Sequence, residues 1–134
     1  MSIVEFRYIA HRGRKVPIIP VRVEGKDGWY EVWAFVDSGA TYSIFEEKDA
    51  EMLGIKPAIE KKIMVMVGDG SFIPVYLYRL RLKIGEFSMD AEIGFSGHLG
   101  TGFNILGRRN IFEIFQVCFN DKKEIVSFQR IKER

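Results

Sequence analysis

Trp33-Ala34-Phe35-Val36-Asp37-Ser38-Gly39-Ala40-Thr41-Tyr42-Ser43 decides how the rest of the chain reads. Four apolar residues stop abruptly at a carboxylate, a hydroxyl and a glycine. The apolar run predicts a strand covered on both faces. Asp37 would then stand where a buried strand turns, and a carboxylate with little water around it needs donors or a partner. Gly39 permits a tight turn or the close approach of another chain. Ser38 can donate inward, while Thr41 and Ser43 can satisfy the backbone of the turn. Asp-Ser-Gly alone also reads as a plain turn cap, so the remainder of the chain has to choose.

Composition sets the limits. The 134 residues predict one domain, 1–134, with room for a real core. A net charge of +2 gives no case for a nucleic-acid partner or for an acidic substrate. The single cysteine, Cys118, excludes an intrachain disulfide, and its apolar neighbours predict a buried, inert thiol. No stretch approaches the roughly 18 apolar residues of a membrane span. The opening MSIVEFRYIAHRGRK has no signal-peptide core, so a cytoplasmic location and no membrane partner are expected. His11 and His98 stand far apart, with no cysteine or carboxylate cluster beside them. That argues against a zinc site or a Ser-His pair, and no metal or cofactor is expected.

Taken in order, residues 3–9 read as a first strand and His11 to Lys15 as a basic break. Val16 to Val23 is a strand with prolines at 17 and 20, which predicts an edge or a bulge. Glu24 to Gly28 is a turn, and Val21 and Val23 should pair with the strand Trp29 to Val36. Ser43 and Glu46 fit a capping box opening a helix over Glu46 to Leu53, stopped by Gly54. Two strand-like runs flank Asp69-Gly70, a strong hairpin signal. Met64, Met66, Phe72 and Ile73 make that hairpin more apolar than a solvated tip needs, as if it closes on something. Leu77 to Ile84 alternates as a half-buried strand with Leu80, Leu82 and Ile84 inward. Phe87 to Phe95 is another strand, residues 96–102 a loop, and Phe103 to Gly107 a short buried strand. Arg108 to Phe115 is expected as a second short helix, and residues 117–119 and 125–128 as a last hairpin before the solvated tail IKER. The sum is a mostly-β, closed, barrel-like domain with two short helices.

With these pieces in place, the chain resembles the retropepsin-like aspartic proteases over about residues 17–128. Phe35-Val36-Asp37-Ser38-Gly39-Ala40-Thr41 is similar to the family's apolar-apolar-Asp-Ser/Thr-Gly-Ala catalytic turn. Val67-Gly68-Asp69-Gly70-Ser71-Phe72-Ile73 resembles its glycine-rich flap. Asn104-Ile105-Leu106-Gly107-Arg108 resembles the second apolar-apolar-Gly element that threads beside the catalytic turn. Residues 109–119 resemble the helix and strand that follow it. The order fits, and so does the spacing, with the flap about thirty residues after Asp37 and Gly107 a little under forty after the flap. Ser38 replaces the commoner Thr, and Asp69 adds a charge near the flap tip.

The resemblance implies an aspartic endopeptidase. One Asp-Ser-Gly supplies half a site, so a two-fold homodimer is implied, with one Asp37 from each subunit. Asp37 would be catalytic; Ser38, Gly39, Ala40 and Thr41 would support the turn; Met66, Gly68, Asp69, Gly70 and Ile73 would form the flap and its substrate wall. Ile105, Leu106, Gly107 and Arg108 would form the second element. The partners implied are a second copy and an extended polypeptide. In viral members terminal strands help to hold the dimer. Two other readings stay open: an inactive dimeric peptide-binding module on the same fold, and a small β-barrel ligand binder that uses Asp37 only as an anchor.

Overall fold

The computed structural model describes residues 2–100 and 102–132. Met1, Thr101, Glu133 and Arg134 lie outside the described residues, and with them one position of the 96–102 loop and the end of the IKER tail. The described chain is mostly β. Strands β1 (Ile3–Arg7), β2 (Ile9–His11), β3 (Arg14–Val16), β4 (Ile18–Gly25), β5 (Gly28–Val36) and β6 (Ser43–Glu46) come first. Helix α1 (Glu47–Leu53) follows, then a single 3-10 turn at Ile59–Lys61. Strands β7 (Lys62–Met66), β8 (Phe72–Ile84), β9 (Phe87–Ser96), β10 (Asn104–Leu106), β11 (Phe115–Asn120) and β12 (Ile125–Arg130) complete it.

Six strands close into a barrel in the order β4-β5-β10-β6-β9-β8, sealed where Arg22 and Val23 of β4 meet Lys83 and Leu82 of β8. β7 extends the sheet beyond β8. β4 and β5 form the expected hairpin, with Val21 opposite Val32 and Val23 opposite Tyr30. Pro20 sits where β4 has only β5 beside it, so its missing N–H breaks no second ladder. A separate sheet in the order β1-β12-β11 packs outside the barrel, and β2 and β3 form an isolated hairpin.

The barrel wall explains one departure from expectation. Val32, Ala34 and Val36 are buried, but Trp33 is 46% exposed and Phe35 only half-buried. A barrel strand has one interior face, so the four-residue apolar run is not covered on both sides. β8 departs in the opposite way. Ile73, Val75 and Leu77 are buried together with Ile44 and Leu99, whereas Leu80, Leu82 and Ile84 are buried in the main barrel core. Inward parity therefore switches across Tyr78 and Arg79, both of which are exposed. The register against β9 runs without interruption from Tyr76–Phe95 to Ile84–Phe87, so one continuous strand serves two cores on opposite faces.

The helices also differ from expectation. α1 starts at Glu47, and Ser43 lies in β6 with its hydroxyl accepting the Gly107 N–H, so no capping box forms. Gly54 does stop the helix, in a left-handed conformation at φ 74°. Residues 108–114 form successive turns rather than a second helix. Phe112 N–H reaches Arg108 O and Phe115 N–H reaches Ile111 O, but Asn110 between them takes φ 68°, which a right-handed helix cannot absorb. Cys118 is exposed, not buried, because it stands on β11 at the margin of the outer sheet, where only Phe115 is fully covered.

The outer sheet is pinned through Tyr8. Its hydroxyl donates to Asp121 Oδ1 at 2.7 Å, and its N–H donates to Glu124 O at 2.8 Å. Burial first, and the Asp121 carboxylate second, push the phenol up to about 12. The folded state thus holds the proton more tightly than the unfolded chain, whose phenol titrates at 10.0. That contribution is intact below about pH 10 and is lost as pH rises from about 10 to about 12. Urea midpoints measured across this window should fall more steeply for the wild type than for Tyr8→Phe.

Candidate active site

The Asp37 turn is fixed by a backbone strand laid beside it. β10 lies between β5, to which it is parallel, and β6, to which it is antiparallel, with Ile105 opposite both Phe35 and Ile44. Beyond the ladder, Asp37 N–H donates to Leu106 O at 3.0 Å. Arg108 N–H donates to Ala40 O at 2.9 Å, and Arg109 N–H to Thr41 O at 2.8 Å. The turn closes on itself through Ala40 N–H to Asp37 O at 3.2 Å. Gly39 N–H donates to the carboxylate Oδ1 of Asp37 at 2.9 Å, which orients that side chain. Asp37 is half-buried, and Ser38 and Gly39 are exposed beside it.

Gly107 makes the threading sterically possible. A Cβ there would overlap the Tyr42 carbonyl and lie 2.9 Å from the Ala40 carbonyl oxygen. These are backbone atoms, and the Ala40 carbonyl is already held by the Arg108 N–H, so relief needs the main chain to move. Asn104, at the other end of β10, is buried and hydrogen-bonded at both ends of its amide. Its Oδ1 accepts the Glu46 N–H and its Nδ2 donates to Asp49 Oδ2, each at 2.8 Å.

Strands β7 and β8 form the hairpin that the glycine pattern predicts. Met66 pairs with Phe72, and residues 67–71 make the tip. Val67 N–H donates to Ser71 O at 2.8 Å, and Gly70 turns the chain at φ 87°. The Ser71 hydroxyl and N–H both donate to Asp69 Oδ1, and the hydroxyl first, then the amide, hold this exposed carboxyl below the usual carboxylate range. One face of the hairpin, Ile63, Val65 and Ile73, packs on Ile44 and Leu99. The other carries Met64, Met66 and Phe72, each more than half exposed.

Turn and hairpin border one cleft of about 690 Å³. Asp37, Gly39, Ala40, Thr41, Met66, Gly68 and Ile105 line it, all of them residues singled out from sequence. Tyr42, Ile44, Met64, Val65, Val67 and Leu99 line it as well. Sequence could have offered Tyr42 and Ile44 by continuing past the Asp-Ser-Gly turn. Leu99 carried no signal beyond being apolar in a glycine-rich loop. Ser38, Asp69, Gly70, Ile73, Leu106, Gly107 and Arg108 do not border the cleft. Leu106 and Ile73 are core residues, Gly107 is packed under Tyr42, and Asp69 is engaged with Ser71. Tyr42 is itself buttressed: the Arg109 guanidinium sits 5.5 Å from its ring centroid, and Arg109 Nε lies 3.3 Å from Glu92 Oε1.

An Asp-Ser-Gly turn locked by a threaded glycine strand thus stands across a cleft from an apolar hairpin. The chain belongs to the aspartyl protease family, whose model matches residues 19–101. A solved retropepsin-like aspartic protease from Rickettsia conorii superposes with a TM-score of 0.65, covering 95% of this chain and 91% of that one at 15% identity. At that identity the likeness is one of fold. No curated protein sequence matches the chain. Among the described residues no helix is long and apolar enough to cross a membrane, and no group of three or more His, Cys, Asp or Glu could hold a metal ion.

Gly107→Ala should destabilise the protein by about 1–3 kcal/mol or more, because backbone must move to admit the methyl group. Chemical denaturation would show it, with a loss much larger than that of Gly68→Ala, where a Cβ meets nothing within 4 Å.

Proposed function

We propose that this protein is an aspartic endopeptidase that works as a two-fold homodimer, each copy contributing one Asp37. The observation that carries the reading is the single cleft bordered by the Asp37 turn and by Met64 to Gly68 of the hairpin. Peptide hydrolysis of this type needs two facing carboxylates, and one chain offers one. Two carboxylates about 3 Å apart do not both ionise, so the pair holds one proton between them. The ionised member takes a proton from a bound water as it attacks the scissile carbonyl. The protonated member polarises that carbonyl and then protonates the leaving amine. No covalent intermediate is needed.

The remaining residues have supporting roles. Gly39 N–H steadies one oxygen of Asp37, whose side chain borders the cleft. Ser38, exposed on the turn, would donate to the partner copy and lock the two turns together. The hairpin closes over an extended peptide, which adds as a strand against it and has its side chains read by Ile105, Met66 and their neighbours. β12 already has β1 on one side and β11 on the other, so contact between terminal strands of two copies would have to use β1 or β11.

Asp37→Asn should lower cleavage of an unfolded protein substrate by at least about 10²–10⁴-fold while leaving the thermal melt unchanged. Full activity in that variant rules out the mechanism. Light scattering under assay conditions should give twice the chain mass, and an active monomer would refute the half-site argument.

A further inference from the structure

The face of β5 that leads to Asp37 carries a further aromatic group. Phe35 lies two residues before Asp37 and opposite Ile105, a cleft-lining residue, so it faces the same way. Phe103 stacks on Phe35, with ring centroids 5.5 Å apart and planes at 25°. His11 meets Phe103 edge-on at 5.1 Å. This aromatic path leads to the isolated hairpin of β2 and β3. His11 there pairs with Arg14, and Arg12 and Gly13 make the turn, both at positive φ.

The hairpin has its own charge pattern. Residues 9–16 read IAHRGRKV, with Arg12, Arg14 and Lys15 exposed and no acid among them. None of these three takes part in the ion pairs formed among the described residues. The base is fixed to the site, since Pro17 O accepts the Val36 N–H at 2.9 Å, one residue from Asp37.

We propose that this basic hairpin is a substrate-reading arm that favours acidic residues about four to six positions from the scissile bond. The distance follows from the path. Asp37 to Phe35 spans about 7 Å of strand, and the ring-to-ring steps of 5.5 and 5.1 Å lead on to His11. The path to the His11 ring is then on the order of 20 Å, which an extended peptide covers in about six residues, and Arg12 and Arg14 stand beside His11 in the hairpin. In a two-fold dimer each end of the peptide meets one hairpin. Aspartate or glutamate there gains from three uncompensated cations, and lysine is repelled. The inference rests on the peptidase reading for the placement of the peptide, and the test separates the two.

Binding is measured with peptides that have an apolar centre and a reduced, uncleavable central bond, flanked at positions four to six by aspartate, serine or lysine. At about pH 6 the aspartates are ionised. The wild type should bind the aspartate peptide about three- to tenfold more tightly than the serine peptide, with the lysine peptide weakest. This ranking should flatten at about 0.5 M salt. Arg12→Glu/Arg14→Glu/Lys15→Glu should reverse the ranking, and the milder Arg12→Gln/Lys15→Gln should shrink it without disturbing the His11–Phe103 contact. Equal affinities, or a preference that survives both variants, overturn the arm. Cleavable versions of the peptides run in parallel. Cleavage with no flank preference keeps the peptidase and removes the arm, whereas flank-dependent binding without cleavage keeps the arm and removes the peptidase.

Discussion

Strand β10 is three residues long, yet the shape of the site depends on where it lies. It enters between β5 and β6 and supplies hydrogen-bonding groups that the Asp37 turn has no other way to satisfy. Asp37, Ala40 and Thr41 are each tied to it or to the residues just after it. Backbone groups in such a tight turn would otherwise be left unpaired at a cost comparable to a lost hydrogen bond each. Asn104 anchors one end of the insertion and Gly107 allows the other. The carboxylate is therefore oriented by main chain, which has little conformational freedom, and not by a flexible neighbouring side chain.

The hairpin facing this turn is held differently. It rests on a small apolar cluster around Ile44, Val75 and Leu99, distinct from the larger barrel core. The opposite hairpin face is left to solvent. The covered face of the hairpin rests on fewer apolar residues than the barrel core holds together.

Much of this arrangement was legible in the sequence because it is local. The Asp37 turn, the glycine-flanked hairpin and the apolar-Gly strand each occupy fewer than a dozen consecutive residues, and their side-chain types are dictated by backbone geometry. What failed to read were features decided by partners far along the chain. Ser43 has the spacing of a helix cap, but Gly107, 64 residues later, claims its hydroxyl. Arg108 to Phe115 has a helical apolar pattern, but its first two amides serve the Asp37 turn and Asn110 takes a left-handed conformation to serve Glu92. Cys118 reads as buried from its neighbours, but β11 lies at the margin of its sheet. Alternation gave β8 a single inward parity, whereas two clusters claim it from opposite faces.

That last feature has a mechanical consequence. β8 is at once one side of the β7–β8 hairpin and a stave of the barrel, thirteen residues long and in unbroken register with β9 from Tyr76 to Ile84. A hairpin built this way is a cantilever, not a door on a loose hinge. Where Tyr78 and Arg79 pass from one core to the other, the stave is bare on both faces and has the least packing to lose by bending. The switch between cores thus stands within the strand itself, at two exposed residues, while the Asp37 turn is held separately by β10 and the residues after it.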